Sequence, residues 1–271
     1  MLREDDYRRL LIVLLGVTEA NKGVPAGDDH RMLDAEGLAQ KFFFHAASAL
    51  YLYRSTTVQE LRASFFDPAS VNVLCRAALE TFLVFHYVFV APKSDDERDC
   101  RYISWVLGGY LDRQRFPVWS PEGRRVIDRE RSLMGSLVDK LKGNHNFQGL
   151  SDGKQRRILK GEWKLPSWTE IGHSVGLHEL NAKSFYSYLC GYAHAGNLSV
   201  VQMRQADTAE LQQSLCTGSM GVLMIAMAHM VMAYCHVFEK SRERLVADPE
   251  AVMLVDVWVG VGASGPEDVS P

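Results

Sequence analysis

Two polar triplets on otherwise apolar stretches could carry chemistry in this sequence. The first is Asn72, Arg76 and Glu80, set in a run of Val, Leu, Phe and Ala. The second is Tyr186, Cys190 and His194, within FYSYLCGYAHAGNLS. Both follow i, i+4, i+8 spacing, which lays each triplet along one stripe of a helix. Burying an arginine and a glutamate is costly unless they pair with each other or with a neighbour. The first stripe is therefore either a structural ion pair bridging helices or the polar floor of a pocket that includes Asn72. His194 precedes Ala195, Gly196 and Asn197, a helix-stop pattern. It reads either as a last-turn histidine favoured by the helix dipole or as a general acid or base, with Tyr186 and Cys190 lining the same pocket. Polar stripes on apolar helices seek each other, so a Glu80–His194 or Arg76–Tyr186 contact is expected.

Other chemistries lack their patterns. Glu170 to His173 spells a single Glu-x-x-His element, where a di-iron bundle needs two, with two further glutamates. His229 and His236 stand two helical turns apart, about 10 Å, too far to share one metal ion. The chain has no H-E-x-x-H, no phosphate-binding glycine loop, no dinucleotide fingerprint and no nucleophile elbow. No cofactor and no metal are expected.

The elements that must hold these stripes are helical. Asp67-Pro68 starts the Arg76 helix, and Pro92 follows its end. Ser94–Glu97 and Asp207–Glu210 begin two more helices as capping boxes, and Ser120-Pro121 begins another. The uncharged stretch 218 to 238 is long enough to span a bilayer at about 20 residues per crossing. Its two histidines and small residues favour a buried central helix, which continues to about Val246. At the N-terminus, RRLLIVLLGVTEA follows three acidic residues and lacks a clean cleavage site, so it reads as a first core helix. Only 198–203 and 251–259 alternate weakly, and the second fits a short helix equally well. The expectation is an all-α single domain over residues 1–258. It has seven or eight helices, a long Met-rich helix near its end and a flexible tail over 259–271.

Composition bounds the partners. Of 271 residues, 47% are hydrophobic and 23% charged, which is ordinary for a globular protein. A formal net charge of −3 supplies no global field for nucleic acid, and there is no DNA-binding signature. The five cysteines form no C-x-x-C pair, which points to free thiols in a reducing cytoplasm. Met- and aromatic-rich helical faces leave homodimerisation open.

The order of motifs resembles a bacterial all-helical family of unknown function. Arg76–Glu80 on an apolar helix is followed by WTEIG at 168–172, then by Tyr186, Cys190, His194, Ala195 and Gly196. That family is distantly similar to the HEPN superfamily, many of whose members are RNases of toxin–antitoxin and phage-defence systems. The resemblance spans residues 35 to 240. Active HEPN ribonucleases carry arginine and histidine together as R-x(4–6)-H, and none of the nine histidines here has an arginine at that spacing. The resemblance therefore implies a split site. His194 would be its general acid or base, Arg76 would stabilise the phosphorane, and Glu80 would orient one of them. RNA would be the substrate. The alternative is a non-catalytic module that binds a partner protein or small ligand, with the Arg/Glu/His cluster structural.

Overall fold

A computed structural model describes residues 3–25 and 29–265. The fold is all-α. The described residues form thirteen α-helices, more than the seven or eight that apolar spacing suggests.

The chain opens with α1 (Glu4–Glu19), α2 (Arg31–Tyr53), a two-stranded hairpin of β1 (Thr56–Val58) and β2 (Ala63–Phe65), and α3 (Pro68–Phe85). The hairpin pairs antiparallel with Thr56 opposite Phe65. At the start of α3, the Asp67 carboxylate accepts a bond from Ser70 N at 2.9 Å, and Pro68 occupies the first turn. A π-turn, His86–Val90, follows.

Next come α4 (Asp95–Arg113), α5 (Pro121–Gly143), α6 (His145–Gln148) and α7 (Asp152–Leu159). The chain returns through α8 (Trp168–Ser174), α9 (Glu179–Ala193), α10 (Asn197–Gln205), α11 (Ala209–Val237), α12 (Glu239–Val246) and α13 (Pro249–Ala263).

These elements fall into two compact units, residues 87–167 and the two flanking segments together, where the sequence pattern suggests one domain. Within the 87–167 unit, Cys100, Leu107, Leu141, Phe147 and Ile158 form the core. Ser94 and Ser120 cap α4 and α5 as expected.

In the other unit α3 packs against α2, α9 and α11. The middle of α11 is apolar on every side, and Met220 to Val231 is buried apart from Gly221. Both α11 and the Pro68–Val90 segment are long and apolar enough to cross a membrane, yet most of each is buried inside the fold. The Tyr7 hydroxyl donates to Ala46 O at 2.8 Å and pins α1 to α2.

Several expected boundaries shift. The Met-rich helix stops at Val237, because Phe238 turns extended before α12 begins. Residues 198–203 lie in α10 rather than a strand, and 251–259 lie in α13. Helix α13 runs to Ala263, beyond the expected end of the helical region at residue 258. Of the tail expected over 259–271, residues 266–271 lie outside the described residues.

Candidate functional site: an arginine bridging two helices

Helix α3 presents Arg76 and Glu80 one turn apart. Arg76 Nε donates to Glu80 Oε1 at 3.1 Å, and Nη2 lies 3.0 Å from the same oxygen. Their side chains are 19% and 29% exposed, so the pair lies at the edge of the core rather than within it. Burial works against the Arg76 charge, but the Tyr186 hydroxyl and the Glu80 carboxylate more than offset this and raise its pKa.

Helix α9 supplies the other half. Arg76 Nη2 donates to the Tyr186 hydroxyl at a long 3.5 Å, and the guanidinium carbon lies 5.6 Å from the Tyr186 ring centroid. Arg76 Nη1 lies 3.0 Å from His194 Nε2. Arginine can only donate, so His194 accepts through Nε2, which assigns its ring proton to Nδ1. His194 is exposed. Burial first, with Cys190 and Glu80 adding, pushes the Tyr186 phenol up to about 12, so it stays protonated at neutral pH.

The helix end places His194. It is the C-cap of α9, with φ −107° and ψ 19°. Ala195 follows in the left-handed region at φ 51°. Gly196 N donates to Gly191 O at 2.7 Å and Ala195 N to Tyr192 O at 3.4 Å, the paired bonds of a Schellman motif. The left-handed position that usually takes glycine is filled by alanine. Gly196 serves another need, since a Cβ there would stand 3.0 Å from Gly191 O.

The sequence-predicted residues do not all converge. Arg76, Glu80, Tyr186 and His194 come together, with Arg76 as the bridge. Cys190 lies one turn before His194, half-buried, and its carbonyl accepts from His194 N at 3.0 Å. Asn72 lies elsewhere. It is fully buried, its Nδ2 donates to Pro68 O at 2.6 Å, and its Oδ1 accepts from the Ser219 hydroxyl of α11. These bonds make it a link between α3 and α11 rather than a pocket residue.

One further group belongs to the site. Trp168, at the start of α8, sets its ring 6.1 Å from that of Tyr186. Only its place at the head of WTEIG hinted at this. Other histidines have structural surroundings: His178 Nδ1 accepts from Leu180 N at 3.3 Å, capping α9. Among the described residues, no three His, Cys, Asp or Glu side chains gather into a metal-ligand set.

No protein-family model matches this chain, and no curated protein or solved structure matches it. Its function must therefore be argued from the Arg76–His194 cluster. An exposed imidazole beside a fixed guanidinium can move a proton next to an anion, and the flanking Trp168–Tyr186 pair offers an aromatic surface.

Proposed function

We propose that the Arg76–His194 cluster is a HEPN-like, metal-independent endoribonuclease site of toxin or phage-defence type, working in the cytoplasm. The 3.0 Å contact between Arg76 Nη1 and His194 Nε2 carries this reading, because it sets a proton acceptor beside a phosphate-binding cation. Five unpaired cysteines fit a reducing compartment.

An RNA phosphate attracts Arg76 Nη1 away from the imidazole and frees the Nε2 lone pair. His194 then takes the 2′-hydroxyl proton as the 2′ oxygen attacks phosphorus. The bond to the 5′ oxygen breaks, and that oxygen leaves with the proton returned by His194. Arg76 stabilises the charge on the phosphorane. Glu80 keeps the guanidinium aimed, and Trp168 with Tyr186 stacks a neighbouring base. The products are a 2′,3′-cyclic phosphate and a 5′-hydroxyl.

One observation favours a second reading, a binding module in which the cluster is structural. Glu80, His194 and Tyr186 together engage all three Arg76 nitrogens. Incubation of the purified chain with single-stranded RNA in a chelator decides between the readings. Cleavage to cyclic-phosphate ends, lost in folded His194→Ala and absent on DNA of the same sequence, supports the nuclease. No cleavage, with His194→Ala melting earlier than wild type, supports the module.

A further inference from the structure

A cleft of about 420 Å3 opens between α1 and α2, with Tyr234 of α11 at its floor. It shares no residue with the Arg76–His194 cluster. Its size falls within the range of small-molecule sites. Phe43 and Phe44 form one wall, with ring centroids 6.3 Å apart in an edge arrangement. Phe44 is 57% exposed, so its ring is open to a ligand in the cleft.

The charge of the cleft is lopsided. Glu19 is paired with Lys22 at 3.2 Å, so these two cancel. Glu36, half-buried in the same cleft, has no hydrogen-bond or ion-pair partner among the described residues. A carboxylate lining a cleft without a counter-ion leaves a negative charge there for an arriving cation to pair with.

The floor is built rather than incidental. Tyr234 is 1% exposed, and Asn21 Nδ2 donates to its hydroxyl at 3.5 Å. Asn21 is held in turn by the Ser241 hydroxyl, which donates to Val17 O at 2.7 Å. A phenolic oxygen has two lone pairs, so one remains for a donor arriving from the cleft. Glu36 and Tyr234 line the same cleft, and burial, followed by the Glu36 charge, raises the Tyr234 pKa.

We propose that this cleft binds a small organic cation, an ammonium group on an apolar body. The ammonium would sit between Glu36 and the Tyr234 oxygen, and the body would lie against Phe43 and Phe44. Both the unpaired carboxylate and the aromatic faces favour a cation over a neutral or anionic ligand of the same shape.

The test is calorimetric titration of the full chain with phenethylamine, neutral 2-phenylethanol and anionic 3-phenylpropionate. The amine should bind about tenfold tighter than the alcohol, or about 1.4 kcal/mol, with the acid weakest. Glu36→Gln should erase the preference for amine over alcohol, and Phe44→Ala should weaken both. Equal binding of amine and alcohol, an undiminished preference in Glu36→Gln, or no amine binding at about 10 mM overturns the proposal. If Glu36→Gln does not fold, the wild-type comparison of the three probes still decides it.

Discussion

Arg76 Nη1 and His194 Nε2 meet at 3.0 Å although 118 positions separate them in sequence. One residue sits mid-helix on α3, the other caps the end of α9. The guanidinium is held on its own helix by Glu80, while among the described residues the imidazole is held by the turn that ends α9 and by Arg76 itself. That asymmetry decides what each substitution does.

His194→Ala should lower RNA cleavage about a hundredfold to ten-thousandfold, as expected for loss of a general acid–base group. The side chain is exposed, so melting should stay within a few degrees of wild type. Arg76→Lys should lose comparable activity, because an ammonium cannot span Glu80, Tyr186 and His194 together. The double variant should be little worse than either single one, which a cycle of initial rates reads directly.

Asn72→Ala should behave in the opposite way. It leaves the Ser219 hydroxyl of α11 without its buried acceptor. A cost of about 1–3 kcal/mol follows, measurable by urea unfolding. Cleavage per folded molecule should be unchanged, since Asn72 lies outside the cluster. A selective loss of activity at full stability would contradict this assignment.

His229 predicts an acid-sensitive fold. It is 8% exposed, its Nε2 has no hydrogen-bond partner among the described residues, and burial lowers its pKa to about 4 from 6.5. The unfolded chain therefore binds the extra proton between those values. The stability linked to neutral His229 is present above pH 6.5 and is lost as pH falls toward 4, up to about 3 kcal/mol. His229→Leu should flatten the unfolding free energy across that window, as read from denaturant midpoints at stepped pH. An unaltered pH profile in the variant would assign the acid sensitivity to other groups.

Gly196→Ala tests the turn that positions His194. The added Cβ would stand 3.0 Å from Gly191 O and 3.3 Å from Gly191 Cα, and both are backbone atoms. The end of α9 must shift by a few tenths of an ångström. Activity should fall by about tenfold or more with only modest loss of stability, because near-attack geometry is steep in distance. Equal activity would show that the histidine needs no such placement.

Much of this was legible in the residues themselves. Asp67, Ser94 and Ser120 cap the helices they were expected to begin, while α11 is capped by Thr208, one residue past the expected Asp207. The Arg76–Tyr186 contact follows from matching two polar stripes, but the His194 partner is Arg76 rather than Glu80. Asn72 misled for a geometric reason. Each i+4 step runs about 40° past a full helical turn, so the stripe winds around α3. Arg76 and Glu80 meet each other at the edge of α9, while Asn72 is carried into the buried contact with α11.

The break at Phe238 has no glycine or proline to announce it. The hairpin was hidden because the left-handed residue of its turn is Arg62, not glycine or asparagine. No periodicity exposes the Glu36 cleft, since its parts come from α1, α2 and α11.

The 87–167 unit interrupts the chain between α3 and α9. At a synthesis rate of about 5–20 residues per second, Arg76 leaves the ribosome on the order of 10 s before His194. Throughout that interval the arginine has its glutamate but no imidazole. A truncated or stalled product ending within the interrupting unit would hold only half of the cluster. In the proposed nuclease, the order of translation would keep the growing chain inert toward the messenger that encodes it until nine of its thirteen α-helices have been made.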